Sequence, residues 1–281
     1  MVRRTFLYSS VPFLLLSCAE PSTLAQACET EPLVQVSEIY PSANSIPSNI
    51  LRFYIYFNSP MQTETVFPEI KLTDDGGNNI EGVLLENRYD LWSRDGRRLT
   101  LLLNPGRVKT GIEANEQFGS ALEKDQRYKL TVGAGVLSAD GCSMTAPFSK
   151  SFVATTPDTA SPSPMRWEFQ TPVSGSRDPL QVQLDGIHDH MSLAYRVRVQ
   201  TLSGDQIAGR INVSDGETEW RFTPSTPWQD AEYSLVVHPL LEDVAGNRTN
   251  GLFDAPSGQS GYETTTASII VPFSTRMSQQ R

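Results

Sequence analysis

A chain of 281 residues with 38% hydrophobic residues, nine Tyr and twelve Phe has the length for one large or two ordinary domains and the material for real cores. Its 32 acidic residues against 23 basic ones give a net charge of −9, which argues against nucleic acid and anionic lipid as principal partners. The three His all lie beyond residue 187 and no G-x-S-x-G elbow is present, so little is offered to a Ser-His-acid hydrolase.

The N-terminus begins Met1-Val-Arg-Arg4, passes through an apolar run from Phe6 to Leu16 and reaches Leu15-Leu16-Ser17-Cys18. The run is far shorter than the ~20 apolar residues of a spanning helix and reads as an export signal. The Leu-Leu-Ser-Cys quartet resembles the lipobox of bacterial lipoproteins. By that resemblance residues 1–18 hold a lipoprotein signal peptide and Cys18 is the first mature residue, diacylated through its sulfur in an anchor of two or three acyl chains such as palmitate. Ala19 rather than Asp in second place implies outer-membrane sorting. An ordinary cleaved signal with a chance Cys is the alternative. Without Arg3 and Arg4, 21 basic residues face 32 acidic ones, a mature net charge of −11. With Cys18 lipidated, Cys28 and Cys142 remain as an even pair in an oxidising compartment, and a disulfide is expected. It would enclose more than a hundred residues and contribute ~4 kcal/mol by chain entropy. Two free thiols are the competing reading; no C-x-x-C accompanies either Cys, which argues against a metal.

Residues 19–32 are small, polar and Pro-containing, a tether. A first domain is expected over 33–154. Strand signals start at Leu33-Val-Gln-Val36 and strengthen in Ile50–Phe57, where Leu51, Phe53, Ile55 and Phe57 share a face. Asn58-Ser-Pro60-Met61 breaks the run into a turn or a helical turn. Ile70-Lys-Leu72 resumes as a strand, Asp74-Asp-Gly-Gly-Asn78 has the composition of a hairpin tip, and Gly82 to Leu85 reads as a further strand. Arg97–Leu103 and Tyr128–Val132 follow, and Ala146–Val153 closes the domain.

Residues 155–164 have a linker's composition, with Pro at 157, 162 and 164. A second domain over 165–275 repeats the plan, leaving a tail at 276–281. Tyr-x-Leu-x-Val alternates in both halves (Tyr128, Leu130, Val132; Tyr233, Leu235, Val237), and a Gly follows each Tyr by thirteen positions, at Gly141 and Gly246. Strands ending Asn104-Pro105 and Thr223-Pro224 precede them. From that Pro to the Tyr is nine residues in the second half and twenty-three in the first, so the first carries about fourteen extra residues after Pro105. Ile112, Phe118 and Leu122 favour a covering role for this insertion. Helical periodicity is nowhere sustained for three turns. The class expected is all-β: two tandem Ig-like β-sandwich domains.

The segments Phe57-Asn-Ser-Pro-Met61, Trp220-Arg-Phe-Thr-Pro224, Tyr233-Ser-Leu-Val-Val237 and Asp243-Val-Ala-Gly-Asn247 resemble bacterial Ig-like domains of the S-layer-protein type. Asn49–Phe57 together with Arg97–Gly111 is similar to a group of uncharacterised bacterial lipoproteins built from two such domains. The resemblance implies a fold and an envelope location rather than an activity. The first half departs from it where Ser138 and Cys142 stand for Asp243 and Asn247.

Several groups are candidates for chemistry. Asp243–Asn247 has one acidic side chain, too few for Ca²⁺, and reads as a turn whose Asp bonds nearby amides. His188-Asp-His190 would place two imidazoles on one face of a strand, but no third ligand is spaced beside them, and solvated loop histidines are expected. Trp167, Trp220 and Trp228 read as packing residues. Arg88, Tyr89, Trp92, Arg97, Arg98, Arg107 and Lys109 flank the insertion and run against the global charge. If the loops converge, they make a patch for an acidic glycan, a carboxylate or an acidic protein. The competing reading is surface ion pairs with Glu81, Glu86, Asp90, Asp95 and Glu113. The expectation is therefore a non-catalytic binding or spacer module held to the membrane at Cys18, with no cofactor, no metal and no nucleic acid, and with an unknown envelope protein or acidic glycan as partner. The alternatives are an accessory lipoprotein of an envelope complex and a glycan- or peptide-cleaving enzyme.

Overall fold

The computed structural model describes residue 28 and residues 33–85, 91–214, 216–255, 261–264 and 267–277. Cys18 and the signal segment lie outside the described residues, as does most of the 19–32 tether. In the first half, β1 (Val36–Tyr40), β3 (Arg52–Phe57) and β5 (Arg98–Leu102) pair antiparallel in the order β1-β3-β5. The facing sheet has the order β2-β7-β6-β4, from β2 (Ser45–Pro47), β4 (Ile70–Asp74), β6 (Arg127–Val132) and β7 (Phe148–Thr155), with β2 parallel to β7. In the second half, β8 (Glu168–Gln170), β9 (Leu180–Gln183), β11 (Gly209–Val213) and β12 (Glu219–Pro224) run β11-β12-β9-β8. Opposite them β10 (Val197–Thr201), β13 (Glu232–Val237) and β14 (Ile269–Ser274) run β10-β13-β14. Among the described residues no strand of one half pairs with a strand of the other. These are two tandem Ig-like β-sandwiches.

The inward rows are those that period-two alternation dictates. Phe53, Ile55, Leu101, Tyr128, Leu130 and Phe152 pack one core; Leu180, Val182, Trp220, Tyr233, Leu235 and Phe273 pack the other. Trp167, Trp220 and Trp228 are all buried in the second. The duplication extends to single bonds. The Tyr128 hydroxyl accepts from the Glu123 N–H and the Tyr233 hydroxyl from the Gln229 N–H, a tyrosine corner in each half. In the turns that follow, Gly141 N–H bonds the Ser138 carbonyl and Gly246 N–H the Asp243 carbonyl, both glycines having positive φ. Ser138 bridges Met61, as Asp243 bridges His188.

Short helices occupy the breaks after β3 and β9: α1 (Thr63–Val66) and, in the second half, a longer helix at His190–Arg196. The insertion after β5 folds into α2 (Pro105–Val108) and α3 (Glu113–Phe118), and the His190–Arg196 helix is α4. Pro105 starts α2 where its missing N–H costs nothing, and the Asn104 side chain caps it through Gly106 N–H. The covering role is only partly as expected. Val108, Ala121 and Leu122 are buried, but Phe118 is 66% exposed and Ile112 38%. Both project outward because the segment is closed by polar bonds rather than by its apolar groups. The Arg107 guanidinium donates to the carbonyls of Glu81, Phe118, Gly119 and Ser120. Gly82–Leu85 contributes a single bridge, Leu84 to Leu103, and not a strand. Cys28 and Cys142 are joined by a disulfide.

Candidate functional site

The outer face of β3 sets up the most concentrated chemistry in the molecule. Leu51, Phe53, Ile55 and Phe57 point into the first core, which turns Arg52, Tyr54 and Tyr56 outward; yet Tyr54 is buried. The second sandwich covers it. The Tyr54 hydroxyl donates to both Asp189 carboxylate oxygens at 2.8 and 3.1 Å, and the Tyr56 hydroxyl donates to the Met191 sulfur. Arg98 lies 5.8 Å from the Tyr54 ring centre and donates to the same sulfur at 3.1 Å. On the neighbouring strand Tyr40 stacks on His190 with ring centres 3.5 Å apart.

Asp189 has two tasks here. It caps α4 by accepting from Ser192 N–H at 2.8 Å, and it receives Tyr54 and the approach of Arg52 Nε at 3.7 Å. Arg52 also bonds Glu242 at 2.6 Å, and the other Glu242 oxygen holds Arg248 through two bonds. Burial raises the Asp189 pKa against the pull of Arg52. Burial works against the Arg52 charge in turn, but Asp189, Tyr54 and Glu242 outweigh it and keep the guanidinium firmly protonated. A cleft of about 250 Å³ opens beside these groups, with Ser192, Arg196 and Leu240 on its far wall.

Further contacts complete the seam. Glu217, fully buried at positive φ, accepts from Ser42 N–H and from the Ser42 hydroxyl at 2.8 Å, while Ser42 Oγ accepts from Gly216 N–H. The 243–247 turn docks on the first sandwich: Leu51 N–H bonds the Val244 carbonyl at 2.9 Å, and Val244 belongs to the first core. Gly246 must be glycine twice over, since its φ is +79° and a Cβ there would lie 2.2 Å from a Leu51 methyl. The Asp158 carbonyl in the linker accepts from Asn49 and Asn247 side chains. The insertion reaches across as well, Thr110 donating twice to Asp254 and Lys109 lying 4.4 Å from the Phe253 ring centre.

Against the expectation of solvated loop histidines, His188 is 1% exposed and His190 is largely covered. Asp189 caps a helix instead of continuing a strand, so the two rings diverge. His188 sets its edge against Trp167 and its Nδ1 by the Gly186 carbonyl, while His190 turns to Tyr40. Burial, helped by Arg98, lowers the His190 pKa to about 4. Asp243 makes the expected turn bonds, accepting from Asn247 N–H and Nδ2 at 2.9 Å each. Its burial, with Asp158 nearby, raises its pKa to about 8.

Of the basic set flanking the insertion, Arg88 and Tyr89 lie outside the described residues. Trp92 stacks on Phe57. Arg97 donates to the Asn58 carbonyl, Arg98 belongs to the seam, Arg107 is spent on four carbonyls and Lys109 on Phe253. Among the described residues none of these cations forms an ion pair with Glu81, Asp95 or Glu113. Among the described residues, too, no three His, Cys, Asp or Glu are grouped to hold a metal, and no helix is long and apolar enough to cross a membrane.

The seam makes a pH prediction. Asp243 has an ordinary carboxylate pKa near 3.8 when unfolded and about 8 when folded, so its contribution to stability is full below pH about 4 and is lost as the pH rises to about 8. His190 has the opposite sign, contributing above pH 6.5 and losing that as the pH falls towards 4. Asp243→Asn keeps an acceptor for the Asn247 N–H and removes only the first dependence. Its melting temperature is expected to gain on the parent's by about 5–10 °C between pH 5 and pH 8. A constant difference across that range in parallel melts would show that Asp243 ionises normally.

No family model and no curated protein matches the chain. Among solved structures it is similar to native alpha-2-macroglobulin from Escherichia coli spanning domains MG0-NIE-MG1, at 12% identity over 90% of this chain and 74% of that one, with a TM-score of 0.29. The N-terminal part of the bacterial S-layer protein SbsC matches at 13% identity over 86% of this chain and 44% of that one, TM-score 0.30. A chimeric titin Z1Z2 matches at 13% over 88% and 97%, TM-score 0.27.

Proposed function

We propose that this protein is a lipid-anchored component of the bacterial envelope, outer-membrane sorted, in which two Ig-like domains act together as a rigid, non-catalytic spacer or binding module. The observation that carries this reading is the seam. Its charged groups, Arg52, Asp189, Glu242, Arg248 and Glu217, are bonded to one another, to Tyr54 or to Ser42 and tie one sandwich to the other. Groups committed in this way resist rotation between domains, because turning one sandwich against the other breaks several charge-assisted bonds together. The disulfide supports the tether half of the reading. It pins the arm ten residues after Cys18, so the reach from anchor to body is at most about 35 Å.

Two measurements test the two halves. In cells making the full chain, labelled palmitate is expected in the protein and lost with Cys18→Ser, which should also leave the membrane fraction; label or membrane retention in that variant removes the tether. Spin labels carried by bio-orthogonal residues at exposed Lys129 and Arg221 should give one narrow distance distribution. A broad or two-peaked distribution removes the rigid module.

A further inference from the structure

Comparing the two copies position by position shows which outer faces are meant to be covered. On β3 the outward residues are Tyr54 and Tyr56; at the matching places on β9 stand Gln181 and Gln183. The aromatic face is the one buried in the seam. The opposite sheets show the reverse. In the first sandwich Thr131 and Ser149 share an outward rung with Lys71, hydroxyl to hydroxyl at 2.9 Å. In the second, the matching rung is Arg198, Val236 and Ile270, with Pro272 on the next. Ile270 is 55% exposed, and nothing in the described residues lies over it as α4 lies over Tyr54. Arg198 stands at the β10 edge of this face, Arg196 just before the strand, where it also lines the seam cleft, and neither forms an ion pair among the described residues. In a chain of net charge −9 such cations are well placed to select a partner.

A complement exists on the same chain. The insertion of the first sandwich exposes Ile112 and Phe118 at the two ends of α3, and between them Glu113 and Glu116, which are exposed and form no ion pair among the described residues. We propose that α3 of one copy docks on the β10-β13-β14 face of a second copy, Phe118 and Ile112 against Ile270 and Val236, Glu113 and Glu116 against Arg196 and Arg198. The contact goes beyond the spacer reading and does not require the lipid anchor. Because the two surfaces differ, the association is head-to-tail and extends past a dimer. A face meeting itself across a two-fold axis would set Arg198 against Arg198, which costs rather than contributes. Membrane tethering would raise the effective concentration of copies that already share a surface.

The test uses the full chain in its own membrane, with Phe118 replaced by photoreactive benzoylphenylalanine. Illumination is expected to give a ladder at multiples of the chain's own mass, with the linked peptide mapping to β13 or β14. Arg196→Glu with Arg198→Glu should reduce the ladder about tenfold or more, and so should Glu113→Arg with Glu116→Arg; all four changes in one chain should restore it. Unchanged melting of each variant shows that the fold survives. No ladder, a ladder indifferent to charge reversal, no recovery in the fourfold variant, or linkage to a different protein would each overturn the proposal.

Discussion

Asp189→Ala is expected to cost about 3–5 kcal/mol of stability, the largest effect of any single side chain in the seam. The change strands more than it removes. The Tyr54 hydroxyl loses both acceptors, the buried Nε of Arg52 loses its nearest carboxylate, and α4 loses its cap at Ser192 N–H. A missing cap accounts for about 1 kcal/mol and unpaired buried groups for the rest. Tyr54→Phe removes one partner and leaves Asp189 its Arg52 and Ser192 contacts, so a loss nearer 1 kcal/mol is expected. Asp189→Asn retains an acceptor for the cap and should fall between the two. Urea unfolding of the three variants distinguishes a working joint from incidental contact: if Asp189→Ala loses less than about 1 kcal/mol, the two sandwiches are not energetically coupled through this residue. Destabilisation there should also broaden the spin-label distance distribution, because α4 is the element that the first sandwich grips.

The repeated fold was readable because its signals are local. Tyr128 and Tyr233 begin alternations that any half-buried strand must show, and Gly141 and Gly246 sit where the backbone needs positive φ. The Asp243 turn was readable for the same reason, its bonds spanning four residues. The seam was not, because its partners are far apart in the chain, 93 residues for Arg98 and Met191, 135 for Tyr54 and Asp189 and 190 for Arg52 and Glu242, and nothing in a single stretch names them. A signal did exist. Tyr54 and Tyr56 alternate with the core row of β3, making both faces of one strand unsuited to water, whereas Gln181 and Gln183 leave β9 one wet face. The same gap hides the histidines: His188-Asp-His190 reads as a solvated loop because nothing local shows that the first turn of α4 lies against another domain. Arg107 shows the converse error. Its charge suggested a binding surface, but a guanidinium also has five donors, and they meet three carbonyls at the end of the insertion and the carbonyl of Glu81.

Breaking the Cys28–Cys142 bond should be the other large perturbation. The two residues are 114 apart, and closing a loop of that size removes unfolded-chain entropy equivalent to about 4–5 kcal/mol. Position adds a second consequence. Cys142 occupies in the first sandwich the place that Asn247 holds in the second, at the end of the turn that meets the preceding part of the chain. In the second sandwich that turn is held by Leu51 and the Asp158 carbonyl; in the first, the disulfide holds it to the arm. Each copy is thus fastened at the same turn to what comes before it, by packing in one case and by a covalent bond in the other. Cys28→Ser with Cys142→Ser is therefore expected to lower the urea midpoint of the full chain while leaving the seam intact. A midpoint shift equivalent to less than about 1 kcal/mol would mean that the unfolded chain gains little freedom when the bond is absent, against the loop-entropy argument.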